Sequence, residues 1–234
     1  MPGALRSLFL FLLTAGSSFA SILAGWLYPR EDRAGRVMRW WGRSFVRLGG
    51  WNLRVEGMEN LPSGGAVLVA NHQSIVDIPM LLSAFPRPVR FLAKRELGEI
   101  PLFGKAMAAA GNLFVDRGDP RDAVRMLREA GARLHDGGFV VVFPEGTRSG
   151  DGSIGAFRPG AIHLAQKSGA PVIPVYIDGG NRAIPKGSIR VHPAELLVRA
   201  LPPLTPGEGA GGSNERIAES VRARLVRERE KGER

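Results

Sequence analysis

Seven consecutive residues carry the first sign of chemistry: Asn71-His72-Gln73-Ser74-Ile75-Val76-Asp77. A neutral imidazole takes a proton from an alcohol at neutral pH, because its pKa lies close by. A carboxylate bonded to the other ring nitrogen fixes the tautomer and stabilises the imidazolium as it forms. His72 and Asp77 supply those two groups. Their spacing is not a same-face spacing on one helix, where neighbours sit three or four apart. The pair works only where the chain turns between them. Ser74 as N-cap puts Asp77 at the third helical position, its carboxylate reaching back to the cap. Asp77 as N-cap tolerates Pro79 better but gives the carboxylate a backbone duty. Both starts stay open here, and so does the plain alternative of a capped helix beside a surface histidine.

The run before the pair, Ala66–Ala70, has the length and branching of a buried strand, and Ile78–Leu82 reads as a helix. A strand handing over to a helix is where open α/β sheets keep their ligands. Three more strands end in polar clusters. Val89–Ala93 leads into Lys94 and Arg95, Asn112–Val115 into Asp116 and Arg117, and Phe139–Phe143 into Pro144-Glu145-Gly146-Thr147-Arg148-Ser149. Parallel strands flanked by helices bring all four clusters to one sheet edge. Cations there suit a phosphate, Arg117 or Arg148 through a planar fork and Lys94 as a point charge. Gly146, Gly155 and Gly160 let backbone N–H groups approach an anion. Taken singly, each cluster reads as exposed charge, a weak local ion pair or a turn. Repetition at strand ends is what gives them weight.

Composition bounds the rest. The 234 residues suffice for one domain with an appendage, and 44% hydrophobic content supports a sizeable core. With no cysteine, disulfides, thiolate nucleophiles and Cys-based metal sites are excluded. Thirty-two basic against 22 acidic residues give a net charge of +10, which points to an anionic partner.

No residue between Arg6 and Arg30 is charged, and residues 7–29 are long enough to cross a bilayer, which takes roughly 20 apolar residues. A signal peptide is the alternative, with Arg6 before a short apolar core and Ala15-Gly16-Ser17 after it. The run continues to Trp26 and Tyr28, residues suited to the membrane interface, which favours an uncleaved segment. Gly16, Ser17, Ser18 and Gly25 weaken a helix and leave a bent or re-entrant path open. Arg33, Arg36, Arg39, Arg43 and Arg47 then recur every three or four residues among Trp40, Trp41 and Phe45. That is the pattern of a basic amphipathic helix on anionic headgroups, or else a solvated face on a core-packed helix.

Further strands are expected at Asn52–Gly57, Val172–Ile177, 188–192 and 195–200, and helices at Lys105–Ala110, 121–135, 159–168 and 214–231. Pro174 argues for an edge strand or a bulge. The fold class is α/β: a mixed, largely parallel sheet flanked by helices, with an N-terminal two-helix membrane-docking segment. Residues 1–50 form that anchor, 51–204 the α/β domain, and 205–234 a Gly-rich linker with a charged helix.

The blocks together resemble the glycerolipid acyltransferases, in particular the 1-acylglycerol-3-phosphate acyltransferases. Asn71-His72-Gln73-Ser74-x-x-Asp77 is similar to their His-x4-Asp motif, and Gly111-x-x-Phe114-x-Asp116-Arg117 to the second block. Phe143–Ser149 resembles the third and most specific block, and Val172-Ile173-Pro174-Val175 the fourth. Phe157-Arg158-Pro159-Gly160 is similar to Phe-Lys-x-Gly, with Arg in place of Lys. The resemblance covers about Gly57 to Ile177, with four blocks in order.

The resemblance implies acyl transfer to the sn-2 hydroxyl of a lysophosphatidate, giving phosphatidic acid for phospholipid synthesis. His72 is then the general base and Asp77 its orienting carboxylate. Glu145, Gly146, Thr147, Arg148 and Arg117 hold the glycerol phosphate, with Lys94 as a looser match. The donor is acyl-coenzyme A or acyl carrier protein, and no metal or other cofactor is required, since a thioester is already activated. Partners are lysophosphatidate, an anionic bilayer surface and the acyl carrier, at the cytoplasmic face of the inner (plasma) membrane. Rival acceptors are glycerol 3-phosphate, another lysophospholipid and a lyso-ornithine lipid. A thioesterase or lipase lacks the Gly-x-Ser-x-Gly elbow. No nucleic-acid module is visible, and a non-catalytic membrane-associated binding protein is the blandest alternative.

Overall fold

The apolar runs form the middle of a seven-stranded sheet. This computed structural model describes residues 3–28, 32–116, 119–158, 163–164, 167–204 and 213–232. The strands are β1 (Asn52–Glu56), β2 (Ala66–Ala70), β3 (Val89–Lys94), β4 (Leu113–Val115), β5 (Phe139–Val142), β6 (Val172–Asp178) and β7 (Glu195–Ala200). They lie in the order β1-β7-β6-β2-β5-β3-β4. Every neighbouring pair is parallel except β6 with β7. Strands β2 and β5 are buried at each position, as strands covered on both faces must be. The expected gathering of strand ends results, because β2, β5, β3 and β4 run side by side in one direction.

Successive side chains of β2 go to opposite faces. Ala66, Leu68 and Ala70 join one core, while Val67 and Val69 join the other. The first core is closed by α1 (Gly3–Leu27), α2 (Arg33–Gly49) and α3 (Asp77–Ala84), through Leu10, Met38, Trp41, Phe45, Met80 and Leu81. The second is closed by α6 (Pro120–His135) and the C-terminal helix Asn214–Gly232, through Met126, Ala130, Leu134, Ile217, Val221 and Leu225. Short helices α4 (Arg95–Gly98), α5 (Phe103–Ala109) and α7 (Gly180–Ala183) come after strand ends. The C-terminal helix is therefore α8.

Two expectations are corrected, and a third falls mostly outside the described residues. Pro174 lies in β6, which is an interior strand between β7 and β2 rather than an edge. The β7 ladder ends at Val175 opposite Ala200, and the Pro174 carbonyl accepts the Leu201 N–H at 2.8 Å just beyond it. The proline has no N–H to return that bond, so the regular ladder with β7 stops one residue short of it, and the interior strand carries the proline at a ladder end. Residues 188–192 are irregular, held by side-chain bonds to their carbonyls rather than by a strand neighbour. Of the helix expected over 159–168, residues 163–164 and 167–168 are helical and the others lie outside the described residues.

Helix α1 is continuous, and its small residues are a packing face rather than a weakness. Ser17, Ser18 and Ser21 are buried, Ser21 bonding the carbonyls of Ala34 and Ala106 at 3.4 Å each. Thr14 accepts the Trp41 indole N–H at 3.1 Å, and a Cβ at Gly25 would meet the Ala109 Cβ at 2.9 Å. Phe9, Phe11, Leu12, Phe19, Leu23 and Trp26 face outward. The helix is thus inside-out, polar towards the protein and apolar towards its surroundings. Helix α2 combines both readings of its arginines. Arg36, Arg43 and Arg47 are exposed, whereas Arg39 pairs with Asp32 at 3.1 Å. Gly50, at φ 75°, ends α2 in a left-handed cap.

Candidate active site

The turn after β2 is built around one carboxylate. Asp77 is fully buried, and its Oδ2 accepts the backbone N–H groups of Gln73 at 2.6 Å and Ser74 at 2.9 Å. The same oxygen meets His72 Nδ1 at 2.7 Å. Ser74 Oγ accepts the Val76 N–H at 3.3 Å and donates to the Ile184 carbonyl at 2.6 Å. Neither helix start left open in the sequence is taken, because Val76 stands at the N-cap and makes no side-chain cap bond. The helix begins at Asp77, while Asp77 still reaches back to the Ser74 N–H as in a capping box.

Asn71 anchors the turn to the neighbouring strand. Its amide donates to the Ile177 carbonyl and accepts the Ile177 N–H, both at 2.8 Å, so it extends the β2–β6 pairing with a side chain. The His72 ring lies on Phe143 with centroids 4.0 Å apart and planes 17° apart. With Nδ1 bound to a carboxylate and one face covered, Nε2 is the nitrogen left to act as a base.

The loop after β5 is tied to this turn twice. Glu145 Oε1 accepts the His72 backbone N–H at 2.9 Å, and the His72 carbonyl accepts the Ser149 N–H at 2.8 Å. Glu145 Oε2 accepts the Gly155 N–H at 3.0 Å. Burial raises the Glu145 pKa, opposed by those two backbone bonds. Both of its oxygens are therefore engaged with backbone, and Gly155 approaches this anion.

His72, Lys94, Gly146, Thr147 and Arg148 line one cleft of about 330 Å³, and Met38, Phe91, Phe103 and Phe143 form its apolar wall. Arg95 turns aside to Asp122, at 2.9 Å. The Asp116 N–H, Arg125 and Arg95 together hold the Asp122 carboxyl well below the usual carboxylate range. Lys94, Arg95, Asp116 and Arg158 line a second, polar hollow beside the cleft. Arg117 and Gly160 lie outside the described residues.

Residues 52–178 match the family model described as Acyltransferase. The chain belongs to the Acyltransferase family. Among the relatives, a 1-acyl-sn-glycerol-3-phosphate acyltransferase from Pseudomonas aeruginosa is 32% identical over 217 residues, covering 89% of this chain and 83% of that one. The chloroplastic 1-acyl-sn-glycerol-3-phosphate acyltransferase LPAT1 of Arabidopsis thaliana is 41% identical over 140 residues, 59% of this chain and 39% of its own. The chain thus spans about two fifths of the length of that plant relative. The crystal structure of a 1-acyl-sn-glycerophosphate (LPA) acyltransferase, PlsC, from Thermotoga maritima superposes with a TM-score of 0.81 at 30% identity, covering 99% of this chain and 96% of that one. The mixed, largely parallel α/β fold expected from the strand pattern is therefore also the fold of that solved structure.

Some of the site's contacts are not announced by the motifs. Phe143 shows in the sequence as the end of a strand, with no sign that it seats the His72 ring. Gly180 comes after β6 in Asp178-Gly179-Gly180, which signals a turn but not its contact with Asp77.

Proposed function

We propose that this protein transfers a fatty acyl group from a thioester carrier to the sn-2 hydroxyl of 1-acylglycerol-3-phosphate. The observation that carries this is the 2.7 Å contact between His72 Nδ1 and the buried Asp77, in a cleft lined by Lys94 and Arg148. His72 Nε2 takes the hydroxyl proton while the acceptor oxygen attacks the thioester carbonyl. The carbon–sulfur bond then breaks, and the imidazolium returns its proton to the departing thiolate. Asp77 holds the tautomer throughout.

Lys94, Gly146, Thr147 and Arg148 bind the acceptor phosphate, with Arg117 as a further cation by motif. Glu145 supports them by fixing the loop, since its oxygens are taken by backbone N–H groups. The apolar outward face of α1 and the exposed arginines of α2 support docking to an anionic bilayer. The supply of acyl-coenzyme A or acyl carrier protein, with the positive charge of Arg30–Arg47, supports the cytoplasmic face of the inner membrane.

The test is acyl transfer by purified protein to lysophosphatidate, glycerol 3-phosphate and lysophosphatidylcholine, with palmitoyl- and oleoyl-coenzyme A, and His72→Ala as the blank. Preference for lysophosphatidate is expected. Transfer to another acceptor would reassign the substrate while keeping the chemistry. Absence of transfer, repeated with acyl carrier protein as donor, would remove the reading.

A further inference from the structure

We infer that Lys186, between α7 and β7 and outside every recognised motif block, is a further cation of the phosphate-binding part of the cleft. This deepens the acceptor reading above and rests on it. Lys186 lines the same cleft as His72, Lys94 and Arg148. Its ammonium donates to the Arg148 carbonyl at 2.8 Å across 38 positions of sequence. An ammonium has three donors. That contact uses one, and two remain for oxygens in the cleft.

The charge pattern makes an anion the fitting ligand. Several arginines elsewhere are matched with carboxylates, as in Arg39 with Asp32, Arg95 with Asp122 and Arg199 with Glu56. Among the described residues, Lys94, Arg148 and Lys186 have no acidic partner. Three such cations around one cleft repel one another, and a bound phosphate relieves that repulsion.

The stretch that carries Lys186 is held from both ends. Ser74 of the catalytic turn donates to the Ile184 carbonyl at 2.6 Å. Ser7 of α1 donates to the Ile189 carbonyl, and Trp51 to the His192 carbonyl, both at 2.8 Å. Between these pins, the Ser188 N–H bonds the Pro185 carbonyl at 3.0 Å, with Gly187 at φ 79°. The ammonium is thus set against the Arg148 backbone by a fixed turn. Lys186 both adds charge and positions the Thr147–Arg148 segment.

The experiment compares binding of 1-acylglycerol 3-phosphate with that of the same lipid lacking its phosphate. It uses the full chain in detergent micelles as wild type, Lys186→Met and Lys186→Arg. Lys186→Met is expected to weaken the phosphorylated lipid about tenfold, as loss of a charge-assisted bond would, and to leave the other lipid unchanged. Lys186→Arg is expected to recover most of the loss. Equal weakening of both lipids, or no weakening, would overturn the inference while leaving the acceptor reading in place. A wild type that binds both lipids alike would remove the phosphate reading itself, and the role of Lys186 with it.

Discussion

The α-carbon of Gly180 closes against Asp77: a Cβ there would lie 2.4 Å from Asp77 Oδ1. Backbone conformation does not demand this glycine, because Gly179 and not Gly180 has the positive φ. The demand comes from the carboxylate, which is fully buried and cannot retreat without releasing its three bonds on Oδ2. Gly180→Ala is expected to displace Asp77 and, through it, His72. A misplacement of about 1 Å can lower turnover by about 10²-fold. Overpacking of this kind costs about 1–3 kcal/mol of stability. Steady-state kinetics beside a melting curve test this, and wild-type kcat in the alanine variant would show that the contact is slack.

Asp77→Asn separates orientation from charge. The amide keeps the volume but no longer stabilises an imidazolium, and it favours the wrong tautomer of His72. In a related Ser-His-Asp site such a change lowers kcat by about 10⁴-fold, and a loss of that order is expected here. Should the Asp77→Asn variant retain more than about a tenth of wild-type kcat, His72 would act without an ionised partner.

Glu145 links the site to pH. Its folded pKa is raised above the ordinary 4.5, first by burial. A raised pKa contributes stability that is fully present below the unfolded value and is lost as pH rises through the folded value. Wild type should therefore lose stability relative to Glu145→Gln as the pH rises upward from about 4. Melting temperatures of the two proteins across pH 3.5–8 check the sign. A difference that widens in favour of wild type would show that the two backbone bonds outweigh burial.

The sheet and the polar clusters were legible because each rests on a local signal. A buried strand such as Phe139–Val142 is a run of apolar residues, and a polar cluster stands directly after each such run. The features that escaped depend on residues distant in sequence. Pro174 looks like an edge residue until the end of β7 is placed beside it. Asn71 pairs with Ile177, 106 positions away, and nothing in either segment announces it. Arg90 reads as a polar interruption of β3, yet it is buried and paired with Asp32 at the start of α2. The serines of α1 weaken a helix by propensity but line the face on which α2 and α5 pack.

Leu102 sits at φ 64° and ψ −55°, the centre of a γ-turn in which the Phe103 N–H bonds the Pro101 carbonyl at 2.7 Å. A side chain in that region costs about 1–3 kcal/mol. The turn sends Phe103 into the cleft wall while Leu102 stays partly exposed. Leu102→Gly removes the strain at a conformational-entropy cost of about 0.5–1 kcal/mol. A net gain of about 1 kcal/mol in unfolding free energy is expected, read from denaturant midpoints, and a loss would show that Leu102 makes contacts worth more than its strain.

Membrane docking is best tested on the outward face of α1 rather than by deleting residues 1–50. Deletion would also remove Met38, Trp41 and Phe45 from the core and confound release with unfolding. Phe11 and Phe19 are 68% and 64% exposed, so replacing either leaves internal packing intact. Burying one such side chain in lipid contributes about 1.5–3 kcal/mol. Phe11→Asp and Phe19→Asp should each lower affinity for anionic vesicles by roughly tenfold or more, with unchanged melting temperature. Added salt should weaken binding of wild type and variants alike, through the exposed Arg36, Arg43 and Arg47. Vesicle co-sedimentation at two ionic strengths measures both effects. Undiminished binding by the double variant would place the docking surface away from α1.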